Sequence, residues 1–206
     1  MRALGKQVFL VMLALWIYST PVHADPGALT FSARHDSSIL ERLPYTALGI
    51  RFSEPGATMD AFAIELQPIL WAFAARTHEE PCGEIAVGGG RFGIVLGSND
   101  SHLACAIDAD RVPPGMHATG VTIHAHGGAG SFYMNRADMV FSGIRTDGTQ
   151  PWIRVAGENV EHFSPTDFAG GPGYLATPTG VIFQNGSDAV RSLVQKAPRL
   201  TAGPTP

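Results

Sequence analysis

The sequence predicts an α/β domain in which a curved mixed β-sheet is flanked by helices. An apolar segment at 58–77 contains good helix formers and an acidic first turn at Asp60. Ser164 and Pro165 form a typical start for a later helix, with serine as the N-cap and proline at the first helical position. Short apolar runs bounded by glycine-containing or proline-containing turns are typical of strands, and they lie at 84–87, 91–96, 174–176 and 181–183.

Several further elements are predicted with less regular patterns. A short strand is expected at 47–52, and Pro68 predicts either a kinked helix or a second helix that starts at this proline. Residues 102–107 are expected to be extended, and a last helix is expected at 187–196.

Composition limits the kinds of partner. The chain has 206 residues, of which 45% are hydrophobic and 16% are charged, and this fits one globular domain with extensions. Its net charge of -4 leaves no basic patch that could neutralise phosphates. We therefore expect no nucleic-acid partner.

The first residues have the pattern of a secretory signal peptide at 1–24. Arg2 and Lys6 precede an apolar run at 8–18, and small residues end the segment before Asp25. The run is shorter than the roughly 20 residues of a membrane-spanning helix, which favours cleavage over a retained signal anchor. We expect a periplasmic or secreted protein with an N-terminal extension at 25–56, a main domain at 57–197 and a disordered tail at 198–206.

Cys82 and Cys105 are the two cysteines of the chain. In an exported protein such a pair more often forms a disulfide than two free thiols. A Cys–His nucleophile is the alternative, but neither cysteine has the basic surroundings that lower a thiol pKa.

Two histidines, His124 and His126, lie at the end of a predicted strand. Thr122, His124 and His126 alternate with apolar residues, so a strand would point both imidazoles to one face. Gly127 follows and would end the strand. Converging histidines are a common start for a metal site, whereas the alternative is a polar strand edge with two solvated histidines.

The order of motifs resembles the JAMM (JAB/MPN-type) zinc metalloproteases, in particular an exported bacterial branch. A Glu-x-Cys-Gly motif after a helix, a His-x-His pair at a strand end and a later Ser-x-x-Asp motif carry the resemblance. Here they are Glu80-Pro81-Cys82-Gly83, His124-Ala125-His126 and Ser164-Pro165-Thr166-Asp167. The resemblance covers about residues 58–185. It implies that 57–197 is a JAMM-like catalytic domain with a JAMM/cytidine-deaminase-like architecture.

The resemblance also implies the roles of individual residues. His124, His126 and Asp167 would hold one zinc ion, with water at the fourth position, as catalytic zinc sites commonly have three protein ligands. Glu80 would act as the general base, and Ser164 would donate a hydrogen bond to the developing oxyanion.

Each assignment has an alternative in the sequence. Ser164 and Asp167 are also what a simple helix N-terminus requires. Glu84, and less strongly Glu79, could replace Glu80 as the base. In the familiar enzymes Ser-x-x-Asp follows the histidines closely, so Asp138 is an alternative third ligand, and the intervening segment 127–163 is interpreted as a lid or substrate-binding loop.

These features lead to the hypothesis of an exported zinc-dependent hydrolase that cleaves a peptide or isopeptide bond in a peptide or protein substrate. The alternatives are a catalytically inactive JAMM-like binding or scaffold module and a secreted effector that uses the same fold. After cleavage of the signal peptide, no membrane attachment is expected.

Overall fold

The computed structural model describes residues 43, 45–108, 110–128, 130–144, 153–187 and 189–193. The predicted signal peptide, the first part of the predicted extension and the predicted tail lie outside these residues. The described elements are, in chain order, β1 (Thr46–Phe52), α1 (Met59–Thr77), β2 (Pro81–Gly88), β3 (Arg91–Ser98), β4 (His117–His124), β5 (Ser131–Tyr133), α2 (Arg136–Phe141), β6 (Arg154–Ala156), α3 (Pro165–Ala169), β7 (Gly173–Thr177), β8 (Gly180–Gln184) and β9 (Val190–Leu193).

The main sheet has seven strands in the order β1-β3-β2-β4-β7-β8-β9. Strands β4 and β7 are parallel, and the other neighbours are antiparallel. A separate ribbon pairs β5 with β6. The predicted α/β class with a mixed sheet and flanking helices is therefore confirmed.

Helix α1 covers one face of this sheet. The side chain of Thr58 caps its start by accepting a hydrogen bond from the Ala61 backbone, and His78 ends it in the left-handed conformation. The helix continues through Pro68 as a single element, so the predicted second helix starting at this proline is wrong. Its buried side chains pack against strand residues in the main core, and they are Phe62, Ala63, Leu66, Leu70 and Ala74.

The predicted helix at 187–196 is wrong over its described part. Strand β9 pairs there with β8 in an antiparallel register. The Arg191 guanidinium lies 4.5 Å from the centre of the Phe183 ring and forms two 2.7 Å contacts with the Asp60 carboxylate. These long-range contacts outweigh the local helix preference, which is worth only tenths of a kcal/mol per residue.

The strand predicted at 47–52 is present as β1, and it pairs with β3 at one edge of the main sheet although it lies within the predicted N-terminal extension. Residues 102–107 differ from the expectation of an extended segment. They form a loop, and the Ala106 backbone in it donates a hydrogen bond to the Asn99 side chain. No helix in the described ranges combines the length and the apolarity needed to cross a membrane.

The predicted disulfide between Cys82 and Cys105 is present. It attaches the loop after β3 to the start of β2, beside the strand that carries His124. Cys82 is fully buried and Cys105 is nearly so.

We expect the double variant Cys82→Ala/Cys105→Ala to lose about 3 kcal/mol in the free energy of unfolding. The bond closes a loop with a sequence separation of 23 residues, and a crosslink of this length reduces the entropy of the unfolded chain by about that amount. Urea denaturation of the variant and of oxidised wild type measures the difference. Equal stabilities would contradict the structural role of this bond.

Candidate metal centre

The end of β4 positions the first two side chains. His124 is the last residue of the strand, opposite Cys82 of β2 and beside Leu175 of β7. The Ala125 backbone still donates to the Pro81 carbonyl at 3.1 Å, so the extended conformation continues past the strand. His124 and His126 consequently project to the same side, as the alternation in the sequence predicts.

Gly127 allows the chain to pass the end of α1 at close range. A side chain at this position would collide with the His78 carbonyl oxygen. Burial raises the pKa of the nearby Glu80 carboxyl, and the Gly127 backbone N–H partly offsets this rise. The close passage at Gly127 therefore places the second histidine beside the candidate base.

The start of α3 positions the third side chain. Ser164 and Asp167 form a capping box, in which each side chain accepts from the other residue's backbone. The Ser164 hydroxyl also donates to Asp167 Oδ2 at 2.9 Å. Gln184 of β8 donates to the Asp167 carbonyl at 3.0 Å and attaches this short helix to the sheet.

These elements bring three potential ligand atoms together. His124 Nε2 lies 3.2 Å from His126 Nε2 and 3.1 Å from Asp167 Oδ1, and His126 Nε2 lies 3.2 Å from Asp167 Oδ2. Bonds of about 2.0–2.1 Å to a tetrahedral zinc ion place ligand atoms about 3.4 Å apart. The separations and the chemistry of the three donors therefore fit a metal ion of this size.

The orientation of His126 is fixed from its other ring nitrogen. Its Nδ1 lies 2.7 Å from the Asn159 carbonyl oxygen. A carbonyl oxygen only accepts, so Nδ1 carries a proton, and Nε2 is the nitrogen that can offer a lone pair to a metal ion. Such a second contact is typical of metal-binding histidines.

Two glutamates complete the surroundings of His126. Ligand atoms of Glu80, His126 and Glu158 lie within 4.8 Å of one another, and Glu158 Oε2 is 3.1 Å from His126 Nε2. Glu80 is 4% exposed, and its Oε1 has no hydrogen-bond partner among the described residues. A buried carboxylate oxygen without a donor is costly unless a cation or a proton donor faces it.

The electrostatics of the cluster follow from three carboxylates and two imidazoles in a small volume. Burial alone would lower the pKa of His126, but Asp167, Glu80 and Glu158 raise it to about 10. Burial alone would raise the pKa of Asp167, yet the two histidines hold it well below its usual value. Burial raises the pKa of both glutamates. The surplus of negative charge favours a cation, which competes with protons for the same lone pairs.

Three residues that the sequence left as alternatives make other contacts: Glu84 and Glu79 as the base, and Asp138 as the third ligand. Glu84 accepts a hydrogen bond from the Gly120 backbone at 2.6 Å. The Asp138 carboxylate contacts His102 Nδ1 at 2.7 Å and is not grouped with the strand-end histidines. Burial and then the Asp100 carboxylate raise the pKa of Glu79, and His102 lowers it. The geometry thus brings Glu80 and Asp167 to the histidines.

Ser164 is the N-cap of α3, as the interpretation of Ser-x-x-Asp as a helix start predicts. Its hydroxyl donates to the Asp167 carboxylate, which faces both histidines. In this arrangement Ser164 orients Asp167, while donation to an oxyanion stays a prediction.

Sequence reasoning missed Glu158 and the Asn159 carbonyl, which lie in the segment interpreted as a lid or substrate-binding loop. Backbone carbonyls carry no sequence signal, and Glu158 matches no part of the motif set. The one local hint is Gly157, which directly precedes them.

Comparisons of the chain with family models, curated proteins and solved structures give no significant match. The fold and the site together define an α/β domain with a candidate metal centre of two histidines and one aspartate. Two further carboxylates border this centre.

Proposed function

We propose that the chain is a zinc-dependent hydrolase that cleaves an amide bond in a peptide or protein substrate, with a JAMM-like arrangement of its site. The mutual approach of His124, His126 and Asp167 to 3.1–3.2 Å carries this proposal. The buried, unpartnered oxygen of Glu80 beside them supports a catalytic rather than a purely structural centre. The disulfide is compatible with the proposed exported compartment.

A zinc ion bound here would polarise a substrate carbonyl and increase the acidity of water. His124, His126 and Asp167 would hold this ion through Nε2, Nε2 and a carboxylate oxygen. The Asn159 carbonyl keeps His126 in the required tautomer, and Ser164 orients Asp167.

Glu80 is the group suited to moving the proton. Burial raises its pKa well above the usual value, which makes it a stronger base than an exposed glutamate. Its Oε1, which has no hydrogen-bond partner among the described residues, can accept a proton from water and return it to the leaving amine. This assignment requires hydrolysis to depend on the Glu80 carboxylate while metal binding does not.

The Glu80→Gln variant is therefore expected to lose about 10²- to 10⁴-fold in kcat, because the amide cannot accept the proton. Bound zinc, measured by elemental analysis, should stay near one ion per chain. Glu84→Gln is the matched control, since Glu84 is also buried in β2 and its amide oxygen can still accept from Gly120. Hydrolysis is assayed on a library of fluorogenic peptides. Loss of activity in the control with an active Glu80→Gln would contradict the assignment.

A non-catalytic binding module is the second candidate. The observation that favours it is the Glu158 carboxylate, which lies as close to His126 Nε2 as the other candidate ligands do. Structural zinc sites typically have four protein ligands. A wild-type protein that binds zinc and cleaves none of the library would favour this module.

A further inference from the structure

The segment after β6 is placed against the metal centre by its backbone. Gly157 packs so closely on Gly128 that a side chain would collide with the Gly128 carbonyl oxygen. The Gly157 backbone also donates to the Gly130 carbonyl at 2.6 Å. Glu158 follows directly, and these contacts bring it to the end of the histidine strand.

The Glu158 carboxylate contacts Nε2 of His126, the same nitrogen that contacts His124 and Asp167. Its Oε2 is 3.1 Å from His126 Nε2, while Asp167 Oδ2 is 3.2 Å from that nitrogen. The next residue, Asn159, accepts from the opposite side of the same ring. Two consecutive residues of one segment thus contact both nitrogens of His126.

A buried carboxylate oxygen of Glu80 indicates, independently of Glu158, a position for a cation. Glu80 is almost completely buried, and its Oε1 has no partner among the described residues. Candidate ligand atoms of Glu80, His126 and Glu158 lie within 4.8 Å of one another, and this group shares only His126 with the group of His124, His126 and Asp167. A carboxylate that approaches a buried carboxylate is repelled unless a cation lies between or beside them.

We infer that Glu158, which contacts His126 Nε2 in the structure, moves onto the bound metal as a fourth protein ligand and so competes with water and substrate for access to it. The inference rests on the proposed metal site. It assigns the segment at 153–162 an inhibitory role: the site is closed while Glu158 binds and open when this carboxylate withdraws.

Competition by a protein ligand has a measurable consequence. An external anion that needs the same coordination position binds only the fraction of molecules in which Glu158 has withdrawn. Its apparent dissociation constant rises in inverse proportion to that fraction. If Glu158 is bound about nine-tenths of the time, removing it should tighten anion binding about tenfold.

The test uses cobalt(II) in place of zinc and azide as the external anion. The visible spectrum of cobalt reports the number and geometry of its ligands, so azide binding can be followed without any substrate. Wild type, Glu158→Ala and Glu158→Gln are titrated with azide. Glu161→Gln is the matched control, because Glu161 lies three residues further along the segment and is exposed.

We expect azide to bind Glu158→Ala at least about tenfold more tightly than wild type or Glu161→Gln. The cobalt affinity of Glu158→Ala should fall relative to both. The side chain of Glu158 is 30% exposed, so its replacement removes little from the core. The isosteric Glu158→Gln should show the same direction and serves if the alanine variant does not fold.

Equal azide and cobalt affinities in all four proteins would overturn the role of Glu158 and leave the metal site intact. Failure of wild type to bind cobalt at one ion per chain would instead overturn the metal site itself, and this inference with it. The two failures are therefore distinguishable.

Discussion

His126→Ala is expected to abolish stoichiometric zinc binding. This side chain belongs to both groups of candidate ligands and is 1% exposed. Loss of an outer partner of a metal ligand commonly costs 10- to 100-fold in affinity, and loss of the ligand itself should cost more. Hydrolysis should disappear together with the metal.

The variant is compared with wild type by elemental analysis and by thermal unfolding with and without added zinc. Zinc at about 100 times its dissociation constant should stabilise wild type by about 2.7 kcal/mol, and it should leave His126→Ala unchanged. His117→Ala is the matched control, since this exposed histidine begins the same strand. Zinc-dependent stabilisation of the His126→Ala variant would contradict the proposed centre.

Asp138→Asn is expected to lower the free energy of unfolding by about 3–5 kcal/mol, the usual cost of breaking a buried charge pair. The carboxylate is fully buried. It accepts hydrogen bonds from the Ser101 hydroxyl, the His102 and Asn135 backbones and His102 Nδ1, at 2.7–2.9 Å. An asparagine would place an NH₂ group against two of these donors and leave them unpaired.

Urea denaturation measures this loss, and Asp110→Asn is the control because Asp110 is exposed. A change below about 1 kcal/mol, typical of surface substitutions, would contradict the central position of Asp138 in this network.

The cost of Asp138→Asn should also depend on pH. The hydrogen bond to Asp138 raises the pKa of His102, so this contribution is complete below the unfolded value of about 6.5 and is lost as pH rises through the raised folded value. Burial alone would raise the pKa of Asp138, but His102 and the other donors lower it. That contribution is present above about pH 4 and is lost as pH falls. The difference between variant and wild type should therefore be largest between about pH 4 and 6.5.

The elements that the sequence predicted well are those with a local physical cause. Helix α1 has its own N-cap at Thr58, an acidic first turn and a buried stripe. Strands β2 and β3 are short runs joined by a glycine turn at 88–90. Alternation along β4 correctly placed His124 and His126 on one side of the chain.

The elements that the sequence did not predict depend on distant partners. Strand β9 exists through its pairing with β8 and through the contact of Arg191 with Asp60. Glu158 reaches His126 in the candidate metal centre because Gly157 packs against Gly128, a contact between segments about 30 residues apart. Neither local propensity nor periodicity contains this information.

The sequence predicted only part of the candidate site, because some of its contacts join segments that are distant in the chain. The motif order placed Glu80, the two histidines and Asp167 together, and the structure brings these four residues into two overlapping groups. The competing choices Asp138 and Glu84 could not be excluded from spacing. Their hydrogen bonds to His102 and Gly120 are properties of the folded chain.

Anomalous diffraction at the zinc edge, from crystals of protein purified without chelators, tests the central claim most directly. We expect one strong peak within about 2.0–2.2 Å of His124 Nε2, His126 Nε2 and an Asp167 carboxylate oxygen. A map without a peak at these three atoms, in protein that has been supplied with zinc, would contradict the metal centre and the hydrolytic function proposed from it.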